Sequence, residues 1–247
     1  MTQKLPPCIK ENVHRFDNDV RDIGSYAYTG DRLSASFANA RITRSIFESF
    51  NFHGSSVLDL GCGDGAYTVE FPALGIRRII GIDPAAVAIE SARIRAQALG
   101  MSDIVSFEVG NIYALDDYLV PNRFDCIVIR GVLHHLPDPV RALGGLSAFK
   151  GTVIVLEPNG NNPVLKLLER FSRYHIEHEE RSFQPSQICK WLTAAGFTVQ
   201  NSSVLNLVPF FCPDLMAKVL RQLEPIIERV PLLRDIVCGQ SIIVASK

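Results

Sequence analysis

From Val57 onward, apolar residues form short solid runs rich in β-branched side chains, separated by stretches in which they recur every three or four positions. A solid run suits a strand buried on both faces, and the longer spacing suits a helix that covers such a sheet. The alternation predicts βα units around a mainly parallel sheet with seven strands, at 56–60, 78–82, 104–109, 125–130, 152–156, 198–205 and 241–245. Punctuation supports two of the helices. Pro84 suits a first helical position and Gly100 a left-handed exit, and Pro185 opens and Gly196 closes a segment whose Ile188, Trp191, Leu192 and Ala195 share one face. Trp191 is therefore expected in the core.

Three pieces fall outside this rhythm: 1–54, 157–184 and 206–239. No internal repeat, low-complexity tract or Gly/Ser linker marks a second domain, so one domain over 1–247 is expected. In the third piece, Pro209-Phe210-Phe211-Cys212-Pro213 leads into Leu215, Met216, Val219, Leu220, Leu223, Ile226, Ile227 and Val230, an amphipathic stripe kinked at Pro225. Packing against the sheet, a lid over an apolar acceptor, a homodimer face and a peripheral membrane contact all fit that stripe.

Nearly half of the residues are apolar, 21% are charged and the formal net charge is −1, a balance that predicts folding and offers little attraction for a phosphate backbone. Nucleic acid is not an expected partner. Residues 1–16 lack an apolar signal core, and no stretch reaches the ~18–20 apolar residues of a membrane span, so a cytoplasmic location is expected. The six cysteines form no C-x-x-C pair and are expected reduced.

The densest chemical signal is Asp59-Leu60-Gly61-Cys62-Gly63-Asp64-Gly65, a buried strand running into glycines at alternate positions. Such a strand, turn and helix lets a ligand approach the backbone and meet free N–H groups. Asp83 ends the next strand, where a carboxylate can accept from two ribose hydroxyls. A nucleoside is implied, and on these residues alone NAD fits as well as S-adenosylmethionine (SAM). The competing roles are a brace of the turn for Asp59 and a helix cap for Asp83.

The segment 59–65 resembles the first motif of class I SAM-dependent methyltransferases, D-x-G-x-G-x-G, rather than the G-x-G-x-x-G of dinucleotide enzymes. Phe107-Glu108-Val109-Gly110-Asn111-Ile112, Phe124-Asp125-Cys126-Ile127-Val128 and Val132-Leu133-His134-His135-Leu136-Pro137-Asp138-Pro139 resemble later motifs of that superfamily in their usual order. The resemblance spans 55–160 and continues in Ala195-Gly196-Phe197. It implies an α/β, Rossmann-like, doubly wound seven-stranded sheet, mainly parallel with an antiparallel last strand and flanked by helices. It also divides the chain into a cap (1–54), a cofactor-binding core (55–160) and substrate-side insertions (161–184 and 206–239).

Carried over by position, Asp59, Gly61, Cys62, Gly63 and Gly65 wrap the methionine part of SAM, and Asp83 holds the ribose. Asn111 lies beside the adenine, where the family usually has Asp, and Ile82, Pro84 and Ile112 flank the ring. Arg130 and Gly131 lie where donor methyl and acceptor meet. An aromatic of the amino-terminal segment, Tyr28, covers the cofactor. The function implied is transfer of the SAM methyl to a small or lipid-like acceptor, at oxygen or carbon. The alternatives are a SAM-binding module without catalysis and an NAD-dependent oxidoreductase.

Methyl transfer is an in-line displacement that asks the protein mainly to align and to exclude water. An acceptor hydroxyl or acidic carbon benefits from a base, and His134, His135 and Glu157 are the candidates, each with a packing or hydrogen-bonding role as its alternative. The tract 174–181 is rich in His and Glu, but no ligand spacing recurs elsewhere. A substrate-facing lid or solvated turn is expected there, and no metal site.

Overall fold

The computed structural model describes residues 32–119, 122–171 and 181–247, with the side chains of 116 and 117 outside that description. Tyr28, Cys8, His175 and His178 lie outside the described residues.

Seven strands form one sheet: β1 (Ser56–Leu60), β2 (Arg78–Asp83), β3 (Val105–Val109), β4 (Cys126–Arg130), β5 (Thr152–Pro158), β6 (Thr198–Leu205) and β7 (Gln240–Ser246). Their order is β3-β2-β1-β4-β5-β7-β6. The first five run parallel, and β7 is antiparallel to both of its neighbours. The fold class expected from the sequence is the one observed, and each strand lies within two residues of its expected limits. Because the chain leaves β1 toward β2 on one side and returns to β4 on the other, the winding reverses between β1 and β4. In open α/β sheets that reversal opens a crevice at the carboxyl ends of the two strands.

Strand residues alternate between two cores. Leu58, Leu60, Ile127, Ile129, Val153 and Val155 face one side with Leu133, Leu143, Ile188 and Leu192. Val57, Ile79, Cys126, Val128 and Ile154 face the other, against Ile42 and Ile46 of α1 (Leu33–Glu48) and Ile89 and Ala92 of α2 (Ala86–Ala98). Each fully buried Ile or Leu stabilises by about 1.5–3 kcal/mol. Edge strand β6 presents Gln200, Asn201 and Ser202 to solvent, a polar rim that discourages further strand pairing.

The remaining helices are α3 (Asp116–Leu119), α4 (Pro139–Gly144), α5 (Pro163–Phe171), α6 (Pro185–Ala194), α7 (Asp214–Ile227) and α8 (Pro231–Val237). Gly100 and Gly196 take the left-handed conformation past the ends of α2 and α6, and Pro185 is the first residue of α6. Trp191 is half-buried and meets Phe183 edge-on at 4.9 Å.

Three expectations need correction. The helix after the glycine turn is a 3-10 helix at Thr68–Leu74 with Pro72 inside it, because Pro72 cannot donate to an i−4 carbonyl. Ala85, not Asp83, is the N-cap of α2, and Pro84 precedes that cap instead of opening the helix. The apolar stripe of α7 does not pack on the sheet. Ala217 and Glu224 are the buried residues of α7, while Leu215, Met216, Val219, Leu223 and Ile226 are exposed.

Polar contacts explain that orientation. Glu224 accepts from Leu207 N at 3.0 Å and pairs with Arg221. Glu228, the C-cap residue, accepts from Asn206 N at 2.8 Å and from Arg41 of α1 at 2.6 Å. The two carboxylates hold the turn at Asn206, whose φ of 68° is left-handed, and so turn the polar face of α7 inward.

Candidate active site

The glycine turn, Asp83, Asn111, Arg130 and Glu157 all lie at the carboxyl ends of the parallel strands β1 to β5. At the end of β1, Gly61, Gly63 and Gly65 have φ of 77°, 55° and 71°. Gly61 N and Cys62 N both donate to Ile82 O, at 2.8 and 3.2 Å, which ties the turn to β2. A Cβ at Gly61 would lie 2.4 Å from Val132 Cγ2, so position and conformation both demand glycine. The Cys62 thiol lies on the side of Gly81, and burial followed by the nearby Asp83 and Asp59 charges raises its pKa well above the ordinary thiol range. It is a poor nucleophile there.

Asp83 reaches across this turn. Its Oδ2 accepts from Gly63 N at 3.0 Å and its Oδ1 from Ala85 N at 2.8 Å. These two bonds aim the carboxylate at the edge of the glycine turn, where a carboxylate can accept from hydroxyl donors. Asp59 is 5% exposed and accepts from Thr68 Oγ1 at 2.6 Å. Burial pushes its pKa up to about 6, against the opposing pull of that hydrogen bond and of Arg130.

Asp64, not singled out from the sequence, is 2% exposed and pairs with Arg95 of α2 at 3.1 Å, which fastens the turn to α2. The signal was an acidic residue inside a glycine motif, but its partner lies a full βα unit away.

At the end of β3, Asn111 Oδ1 accepts from Tyr113 N at 2.9 Å. The oxygen expected to meet an adenine amine thus also closes a local turn. Pro84 and Ile112 are half-buried near these strand ends, whereas Ile82 is 2% exposed and belongs to the sheet core.

Arg130 ends β4 and donates to Thr43 Oγ1 at 2.9 Å and Asn39 Oδ1 at 3.0 Å, both on α1. Its Cζ stands 3.4 Å from the centre of the Tyr67 ring. Burial lowers its pKa, with Tyr67, Glu70 and Asp59 acting in the opposite sense. Asn39, Thr43 and Tyr67 escaped the sequence reading because none lies in a recognisable motif.

After Gly131, the chain wraps around the carboxylate of Glu157. This group is fully buried; Oε1 accepts from Val132 N and Leu133 N, each at 2.7 Å, and Oε2 from His134 N at 3.2 Å. His134 Nδ1 lies 2.7 Å from Oε2. Glu157 is committed to shaping this loop and orienting His134, which leaves it no path to an acceptor. The His134 and His135 rings lie 3.8 Å apart.

A glycine cradle at the point where the sheet reverses, with a carboxylate at the end of the neighbouring strand β2, decides the family together with a match to the methyltransferase domain model (Methyltransf_31) over residues 51–221. The chain belongs to the methyltransferase domain family. SAM is the methyl donor that goes with it, and the residues present fit that cofactor: the left-handed glycines of the turn at 61–65 and the Asp83 carboxylate stand together at the ends of β1 and β2.

Among relatives, the tRNA U34 carboxymethyltransferase of Campylobacter hominis is 35% identical over 98 residues, 40% of this methyltransferase-family chain and 33% of that protein. The ubiquinone biosynthesis O-methyltransferase of Neisseria meningitidis serogroup C is 27% identical over 162 residues, 62% of this chain and 67% of that one. The chain thus spans a third of the first relative and two thirds of the second. Geranyl diphosphate C-methyltransferase from Streptomyces coelicolor A3(2) shares the fold, with a TM-score of 0.70 at 13% identity over 99% of each chain. Five described cysteines, Cys62, Cys126, Cys189, Cys212 and Cys238, are free, and no described helix is long and apolar enough to cross a membrane.

Proposed function

We propose that this chain transfers the SAM methyl group to an oxygen or carbon nucleophile of a small, apolar, lipid-like acceptor. The observation that carries this reading is the convergence of the glycine turn, Asp83 and the Glu157–His134 pair on one edge of the sheet. When bound, SAM supplies an electrophilic methyl group, so the protein's work is alignment and exclusion of water.

In this reading Asp59, Gly61, Cys62, Gly63 and Gly65 surround the amino-acid end of the donor, and Asp83 takes the ribose. Pro84, Asn111 and Ile112 frame the adenine. Tyr28 is the aromatic assigned to cover them. His134, with Nδ1 fixed by Glu157, takes the acceptor proton at Nε2. Glu157 acts through His134 as a positioning residue, and His135 packs against the His134 ring.

The acceptor class rests on the apolar residues that α5, α7 and α8 turn to solvent. Phe171, Leu215, Ile226 and Leu232 are 69%, 77%, 62% and 81% exposed. Such a surface favours an apolar molecule over a polyanion, and the net charge of −1 agrees. The relatives named for ubiquinone biosynthesis and geranyl diphosphate support the same class.

The test is methyl-labelled SAM offered with prenylated phenols, tRNA and total protein in parallel. Label in the organic-soluble fraction supports the proposal. Label confined to tRNA or protein overturns the acceptor class, and SAM binding without turnover on any acceptor leaves a non-catalytic SAM-binding module.

A further inference from the structure

Helices α5, α7 and α8 leave their apolar faces in water at the edge of the sheet that carries the glycine turn. α5 follows β5, while α7 and α8 join β6 to β7; β6 runs parallel to β5 and β7 antiparallel, so both connections lie at the carboxyl edge. The buried Asn159 and Asn162 clip the start of α5 to the end of α8. Asn159 Nδ2 donates to Cys238 O at 2.9 Å and Asn162 Nδ2 to Val237 O at 3.1 Å. On α5, Val164, Leu167, Leu168 and Phe171 recur at helical spacing and are exposed, and no residue of that helix is buried. On α7 the exposed apolar residues from Leu215 to Ile226 fall within an arc of about 100°. Leu232 and Ile236 of α8 are exposed as well. An apolar surface shared by adjoining helices marks a contact with something outside the chain.

Charge narrows the choice of partner. Glu224 of α7 and its C-cap Glu228 are turned inward onto the backbone N–H groups of Leu207 and Asn206, so the acids that would balance the cations of this region are withdrawn from the surface. Within the described segments 163–171 and 214–237, Lys166, Arg170, Lys218 and Arg229 are exposed, whereas Asp214 is the one exposed acid. The whole chain carries −1, so this cationic border is a local product of the fold. A second copy of the same face has few acids to offer those cations, and a nucleic acid gains nothing from the apolar arcs. An anionic bilayer surface meets both, with acyl chains against the apolar arcs and headgroups against the cations.

We infer that α5, α7 and α8 form a docking face for an anionic phospholipid surface, with the carboxyl edge of the sheet turned toward the bilayer. Docking of this kind brings the cofactor edge to a lipid-borne acceptor, yet it depends on no turnover and is tested without one.

The experiment is co-sedimentation with vesicles of equimolar phosphatidylglycerol and phosphatidylcholine, and with vesicles of phosphatidylcholine alone. The unaltered chain should bind the anionic vesicles at least about tenfold more tightly, and added salt should shrink the difference. Lys218→Gln with Arg229→Gln should weaken that binding by about tenfold or more, at the contribution expected for each surface cation. Leu215→Ser with Ile226→Ser should weaken it by about tenfold or more through lost apolar burial. Both pairs change exposed side chains, so the melting temperature and S-adenosylhomocysteine (SAH) binding should not move. Arg123→Gln with Lys150→Gln, exposed cations ahead of β4 and β5 at the opposite edge, should leave vesicle binding as it is. No preference for anionic vesicles, or an equal loss from the Arg123 and Lys150 pair, overturns the docking face. So does a stable dimer through this face, or tRNA retained through Lys218 and Arg229, in place of vesicle binding. A chain that methylates a soluble phenol and ignores vesicles overturns the docking alone and leaves the proposed function standing.

Discussion

Replacing Asp59 by asparagine should make the ligand-free protein more stable while weakening its hold on the cofactor. Folding raises the Asp59 pKa from 3.8 to about 6, chiefly by burial. Between those values the folded chain keeps a proton that the unfolded chain has released. The ionised carboxyl therefore opposes folding, by nothing below about pH 4 and fully above about pH 6. A shift of about two units at 1.36 kcal/mol each corresponds to an opposing contribution of about 3 kcal/mol. Asp59→Asn removes it, keeps the shape and keeps an acceptor for Thr68 Oγ1. The amide it introduces also needs an acceptor, so a net gain of about 1–3 kcal/mol is the working figure.

Urea unfolding of both chains at pH 8, 6 and 4 reads it directly. The variant should exceed the parent at pH 8, and the gap should close as pH falls through 6 toward 4. SAH affinity should drop by about tenfold for the loss of a charge assigned to the amino-acid end of the donor. A variant less stable than the parent at pH 8, or a gap that does not change with pH, refutes the reasoning.

Other substitutions probe separate parts of the site. Glu157→Gln places an amide where one carboxylate oxygen accepts buried N–H groups; denaturation should show a loss of about 2–4 kcal/mol, and kcat should fall with little change in KM for SAM. Asp83→Ala should weaken SAM by about 1–3 kcal/mol in calorimetry, with unchanged affinity removing Asp83 from the site. Gly61→Ala meets both a left-handed φ of 77° and the Val132 side chain; thermal melting should show a loss of about 2 kcal/mol or more, and SAH binding should disappear. Leu223→Lys with Ile226→Lys alters only exposed positions, so stability should stay within ~0.5 kcal/mol while KM for an apolar acceptor rises.

The strands were legible because burial on both faces leaves a local mark: Val57-Leu58 and Cys126-Ile127-Val128-Ile129 admit few other readings. Glycine spacing likewise located the turn at 61–65, since its backbone requirement is met within five residues. Long-range polar contacts left no such mark. The inward face of α7 is set by Glu224 and Glu228 meeting the backbone at Asn206 and Leu207, and periodicity shows a stripe without showing which side docks. Arg130 reads as a strand terminus, yet its neighbours Asn39 and Thr43 lie about ninety residues earlier on α1. Glu157 sits at the edge where ligands bind, and only the three N–H groups that close on it reveal a brace.

A crystal structure of the SAH complex tests the central claim most directly. The account predicts the amino-acid end lying along Gly61–Gly65 and both ribose hydroxyls within hydrogen-bond reach of Asp83 (about 2.5–3.0 Å). SAH bound elsewhere, or a crevice that stays empty at saturating ligand, would contradict it.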